Sequence, residues 1–181
     1  MSELVIDLAP DRAQTEFNFE RWAEIQEDPQ WDDWIGRIET DRHGHVIMSP
    51  HAGYHHMCYS KTIMTLLDAL LPDGIALPEC PVSTADGMRI PDVLWISNER
   101  RARSGRPLGL DEAPEICVEI LSPRNRQRER DEKRKLLFAA GATEVWQCDG
   151  HGQMTFFTGP EDAGSERSAF CPAFPSHVEK S

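Results

Sequence analysis

The sequence predicts a mixed α/β domain (α/β or α+β), with a mixed central sheet flanked by helices. Three observations predict it. Apolar residues recur at helical spacing in separate stretches of the chain. Short runs rich in β-branched and aromatic residues lie between them, bounded by Gly, Pro and Asp turns. The two kinds of segment interleave in the order αββαβββαββ, which suits helices packed on a sheet. At 181 residues and 20.5 kDa, the chain can bury a core without staples.

Taken in order, the first helix is expected over 17–27, with Pro29 marking its end. Segments 34–40 and 45–48 flank the turn Asp41-Arg42-His43-Gly44 and read as a hairpin. Ser49-Pro50 then opens a long helix in which Ile63, Leu66, Leu67, Leu70 and Leu71 share a face, and Pro72-Asp73-Gly74 stops it. Extended segments are expected at 75–80, 82–84 and 88–97, with Ala85-Asp86-Gly87 as a turn. The Arg- and Gly-rich stretch 98–113 reads as a mobile loop. A strand at 115–121 ends at Ser122-Pro123, because the residue before proline avoids helical angles. A helix over 127–140 stops at Gly141. Segments 144–148 and 153–157 form a second hairpin around Asp149-Gly150, and a last strand is expected near 168–171. The expected organisation is an N-terminal helical extension (1–34), a main domain (35–158) and a turn-rich tail (159–181).

Charge narrows the function classes. The formal net charge is −12, which argues against a cationic nucleic-acid coat or a binder of anionic membranes. The asymmetry is informative: residues 1–42 carry a net −8, whereas residues 99–135 carry +3. The five cysteines are scattered without CxxC spacing, so neither a disulfide framework nor a zinc ribbon is suggested, and a reducing cytoplasmic compartment fits. The N-terminus lacks the basic start and apolar core of a signal peptide, and no apolar run approaches a membrane span.

Three residues stand out. Glu119 lies in the apolar strand Glu115-Ile-Cys-Val-Glu-Ile-Leu121; if that strand is central, its carboxylate is buried and needs a cation or donors. Asp92 follows Arg89-Ile90-Pro91 and opens another apolar run; alone it reads as turn chemistry, and only beside Glu119 as part of a site. On neighbouring strands the two acids would make an oxygen-ligand site suited to Mg2+ or Mn2+. Lys133 shares the apolar face of its helix with Leu136, Leu137 and Ala140, and either aims at the end of the Glu119 strand or snorkels to solvent. Arg124, Arg126, Arg128 and Arg130 cluster at a helix start, where they could hold phosphates or pair with Glu129, Asp131 and Glu132. His51, His55 and Cys58 have a spacing that zinc could use, but there is no fourth ligand in sequence.

Asp92 in RIPDV, Glu119 in VEILSP and Lys133 in EKRKLLFAAG, followed by EVWQCDG, resemble the Uma-two family of "putative restriction endonucleases" within the PD-(D/E)xK nuclease superfamily. The resemblance runs from about Gly36 to Phe157 and includes Glu39, Ser49-Pro50 and His55. It implies a restriction-endonuclease-like fold in which Asp92 and Glu119 hold a divalent metal, and a lysine orients or activates the attacking water. The lysine usual in the superfamily two residues after the Glu is Leu121 here. The family resemblance implies that Lys133 takes its place, with Lys135 as a rival about 160° round the helix.

The resulting expectation is a Mg2+- or Mn2+-dependent endonuclease acting on DNA, with Asp92, Glu119 and the Ile120 carbonyl as metal ligands. Lys133 is the catalytic cation, Glu39 and His55 are secondary candidates, and a homodimer without a membrane partner is expected. The alternative is a catalytically degenerate binding or assembly protein on the same fold.

Overall fold

The computed structural model describes residues 11–50, 52–122 and 126–180. In chain order its elements are α1 (Arg12–Glu27), β1 (Gly36–Thr40), β2 (Val46–Pro50), α2 (Tyr54–Leu70), β3 (Gly74–Pro78), β4 (Val82–Thr84), β5 (Gly87–Arg89) and β6 (Val93–Ser97). These are followed by α3 (Asn98–Ser104), β7 (Gly105–Arg106), β8 (Gly109–Leu110), β9 (Ile116–Ile120), α4 (Gln127–Ala139), β10 (Glu144–Cys148) and β11 (Met154–Phe157).

The central sheet has the order β11-β10-β9-β6-β3. Only the β9–β10 pair is parallel; its neighbours run antiparallel, so the sheet is mixed as expected. Alternation along the strands builds two cores. Val93, Trp95, Ile116, Val118 and Ile120 face α2, meeting Tyr59, Ile63 and Leu67. Leu94, Ile96, Cys117 and Val145 face the other way, onto Leu137 and Ala140 at and just beyond α4. The result is a three-layer α/β/α arrangement with β9 in the middle, covered on both faces.

A second sheet, β5-β4-β8-β7, and the β1–β2 hairpin stand beside it. Trp22 and Ile25 of α1 pack there on Met88 and Ile90, with Ile38 and Val46 at the edge. Asn18 of α1 donates to Ser83 Oγ and to the Thr84 carbonyl, both at 2.9 Å.

Several expectations need correction. Segment 88–97 is two strands in different sheets, because Pro91 has no N–H to continue a ladder. Segment 98–113 is not a bare loop. Ser97 caps α3, accepting from the Arg100 N–H at 3.1 Å, and Asn98–Ser104 is helical. The Arg/Gly composition hid this capping signal. Helix α2 starts at Tyr54 behind Gly53, and Ser49-Pro50 closes β2 instead. Helix α1 begins five residues earlier than its apolar pattern suggests, capped by the Asp11 side chain. No strand forms at 168–171. Those residues are held by Glu144, which accepts from Trp146 Nε1, Ser168 Oγ and the N–H groups of Ala169 and Phe170 at 2.6–2.8 Å. The tail then places Cys171, Phe174 and Val178 in the α2-side core. All five cysteines are free. Among the described residues, no helix is long and apolar enough to cross a membrane.

Candidate active site

The link Ile90-Pro91-Asp92, between β5 and β6, organises the site. A residue before proline stays extended, so the Ile90 amide and carbonyl leave the sheet and find side chains. The Ile90 N–H donates to Glu39 Oε1 at 2.7 Å. Its carbonyl accepts from Lys133 Nζ at 2.8 Å and from Arg37 Nη1 at 3.2 Å.

The sheet register sets the acids. Val93 pairs with Val118 at the end of the β6–β9 ladder, so one step outward Asp92 stands across from Glu119 on the α4 face. Asp92 Oδ2 accepts from the Ile120 N–H at 2.6 Å. A strand residue's N–H and carbonyl share an edge, which puts the Ile120 carbonyl on the Asp92 side of β9. Gln147 of β10 is the partner of Glu119 on the other side.

Lys133 crosses from α4 into this cluster. Its Nζ lies 2.9 Å from Glu119 Oε1 and 3.0 Å from Glu39 Oε1, and its side chain is only 13% exposed. Arg37, two residues before Glu39 on β1 and so on the same face, places Nη1 2.5 Å from Asp92 Oδ1. His56 Nε2 lies 3.1 Å from Asp92 Oδ2.

The electrostatics follow from burial and neighbours. Burial works against the Asp92 carboxylate, but the His56 hydrogen bond and the Arg37 charge outweigh it and hold the group down at about 2. Glu39 is likewise held low against burial, by Lys133, Arg37, Arg89 and the Ile90 N–H. Glu119 behaves oppositely: burial, with the Asp92 charge, lifts it to about 7 in spite of Lys133. Burial alone would push the Lys133 ammonium down, yet Glu119 and Glu39 hold it above its ordinary value, so it stays charged.

The sequence therefore singles out Asp92, Glu119, Lys133 and Glu39, and the structure brings these four together. His55 is a correction: it is exposed beside the Tyr54 ring, and its neighbour His56 turns inward to Asp92. Arg124 and His51 lie outside the described residues. Arg126 is the N-cap of α4 and Arg130 falls about 60° from Lys133 around the helix, whereas Arg128 is about 140° away and pairs with Glu132 at 2.6 Å. Lys135 points elsewhere, to Glu161 at 2.7 Å, and Arg134 is buried over the Phe157 ring. Arg37, His56 and Gln147 were not singled out in the sequence. Strand alternation from Glu39 would have found Arg37, but His56 and Gln147 depend on helix register and strand pairing.

A hard divalent cation suits these donors. They are all oxygens, and Glu119 Oε1 is buried with the Lys133 ammonium 2.9 Å away. Among the described residues no three His, Cys, Asp or Glu side chains form a ready cluster. Mg2+ typically takes only one or two carboxylates and keeps several waters.

Fold and site together define a class: a three-layer α/β protein with a buried acid cluster at the ends of central strands, crossed by a lysine from the covering helix. The chain belongs to the Uma2 family, described as "Putative restriction endonuclease", whose model matches residues 19–175. Among solved structures, it is similar to a "putative nuclease belonging to DUF820" from Anabaena variabilis ATCC 29413. That similarity has a TM-score of 0.60 at 15% identity, over 80% of this chain and 82% of that one. The two share a fold. No curated protein matches the chain.

Proposed function

We propose that the protein is a divalent-metal-dependent endonuclease that hydrolyses phosphodiester bonds in DNA. The observation that carries the reading is Lys133 Nζ set 2.9 Å from Glu119 and 3.0 Å from Glu39, beside Asp92, at the end of the central strands. Asp92, Glu119 and the Ile120 carbonyl are the ligands for Mg2+ or Mn2+. A cation bound there would polarise the phosphate and lower the pKa of water.

The chain's own residues do the rest. Lys133, charged and fixed by three oxygens, stabilises negative charge that develops on the phosphate and does not act as a base. Glu39 anchors that ammonium. His56 and the Ile120 N–H hold Asp92 in one orientation. Arg126, at the N-cap of α4, and Arg130, near the Lys133 face, offer positive charge to the flanking backbone.

One observation favours a second reading. Both Asp92 oxygens already have protein partners: Arg37 on Oδ1, and His56 and the Ile120 N–H on Oδ2. A degenerate site in a binding or assembly protein could be balanced in this way. A cleavage screen on single-stranded, duplex and branched DNA with Mg2+ or Mn2+ separates the two. The nuclease reading expects metal-dependent cutting that Glu119→Ala abolishes. Cutting that survives Glu119→Ala, or no cutting together with no metal-induced rise in melting temperature, refutes it.

A further inference from the structure

Next to the acid cluster lies a cavity of about 220 Å3. That is smaller than a drug-sized site and suited to one ring system. Trp22, Trp31 and Trp34 line it, together with Ile90, Arg37 and Glu79. A Cβ at position 36 would lie 2.4 Å from the Ser49 carbonyl oxygen and 3.1 Å from the Trp34 ring, so Gly36 is what lets that ring lie against the backbone.

The polar groups are unusual. Trp31 Nε1–H and Arg37 Nε–H are both buried, and neither meets a protein acceptor. Orphaned buried donors are rare; these two lie behind the cavity surface and not on it. Glu79 brings an acceptor to the cavity rim. It is exposed and holds φ +46, a left-handed conformation that a residue with a Cβ keeps only where its surroundings impose it. Its N–H donates to the Asp92 carbonyl at 3.3 Å. Aromatic walls with one acceptor at the rim suit a flat heterocycle.

The cavity and the acid cluster share two residues. Arg37 lines the cavity and contacts Asp92, and Ile90 lines it while its carbonyl holds Lys133. A ring seated there would be joined to a phosphodiester that adjoins the acids. We propose that this cavity receives an unstacked nucleobase of the strand being cut, so that the substrate class is single-stranded or locally unpaired DNA. Stacking on tryptophan supplies affinity without demanding one base, because every base has a π-face. The inference rests on the nuclease reading of the neighbouring site.

The test titrates the full chain, with Ca2+ in place of Mg2+, with a short single-stranded oligonucleotide carrying 2-aminopurine and with its abasic counterpart. Anisotropy reads affinity, and 2-aminopurine emission reads stacking. The wild type should quench the emission, and the abasic strand should bind more weakly. Trp34→Ala should weaken binding roughly 5- to 150-fold. Trp31→Phe, which keeps a ring but loses the N–H, should lose less and guards against a folding defect in the first variant. Equal affinity for the abasic strand and for both variants, with unchanged emission, would overturn the cavity proposal while leaving the nuclease reading intact. No binding or cleavage of any DNA, single-stranded or duplex, would overturn both.

Discussion

Replacing Lys133 by Met keeps most of the stem and removes the charge, and the structure sets the size of the effect. The ammonium stands 2.9 Å from Glu119, 3.0 Å from Glu39 and 2.8 Å from the Ile90 carbonyl oxygen. At an effective dielectric of about 20, one ion pair near 3 Å is worth about 5 kcal/mol before desolvation. Removing one partner of a buried pair destabilises by roughly 3–5 kcal/mol, because it leaves unpaired buried charge. In a domain of this size that lowers Tm by about 6–20 °C. Adding Glu39→Gln removes one orphaned carboxylate and should recover about 1–3 kcal/mol, a coupling that a double-mutant cycle in urea would measure. Rate behaves differently: both variants, assayed where they are folded, should lose on the order of 10²–10³-fold in DNA cleavage, since neither restores the positive charge. Lys135→Ala, whose amine faces Glu161 on another side of α4, should change stability by less than about 0.5 kcal/mol and leave the rate alone. Full activity and unchanged stability in Lys133→Met would refute the electrostatic argument. A dead Lys135→Ala would show that the wrong lysine has been assigned.

Further predictions concern the same cluster and its supports. The folded-state pKa of Glu119 is raised, so in metal-free protein its contribution to stability falls as pH rises from about 4.5 to about 7 and stays low above that. Glu119→Gln should therefore raise Tm in EDTA at pH 8, leave it nearly unchanged at pH 4 and abolish stabilisation by Mn2+; equal destabilisation at both pH values would contradict this. Arg37 sits on Asp92 Oδ1, where a cation must compete with it, so Arg37→Gln should tighten Mn2+ binding by calorimetry; weaker binding would mean that Arg37 preorganises the site. Glu144→Ala strands four donors at 2.6–2.8 Å and should destabilise by more than about 3 kcal/mol at roughly 1.5–3 kcal/mol per charged hydrogen bond; a loss under 1 kcal/mol would show that the tail is held by its apolar contacts alone. A homodimer is expected because two-fold dimers are the commonest closed assemblies; light scattering that gives a monomer at micromolar concentration would exclude it.

Much of this protein follows from local rules that the sequence alone satisfies. The strand at Ile116–Ile120 is apolar on both faces, which is how a strand covered from both sides reads, and it is the middle strand of the sheet. The spacing of Lys133 from Leu136, Leu137 and Ala140 turns it inward, because a helix presents residues three and four apart on one face. Proline at 91 breaks the ladder, but the apolar run across it reads as one segment, 88–97, and hides that two different sheets result. Tertiary structure alone decided the rest. His56, and not His55, meets Asp92 because the true start of α2 sets its rotation, and one residue is 100° of helix. Arg37 reaches Asp92, 55 residues away in the chain, only once the β1–β2 hairpin packs beside the sheet. Glu144 and the tail find each other across 24 residues because a buried carboxylate needs donors, and a sequence does not show which donors will be near. Periodicity is local and so was legible; the caps at Asp11 and Ser97 are local too, but the surrounding composition masked them. Charge compensation and strand neighbours are long-range, and they exist only after the chain has closed on itself.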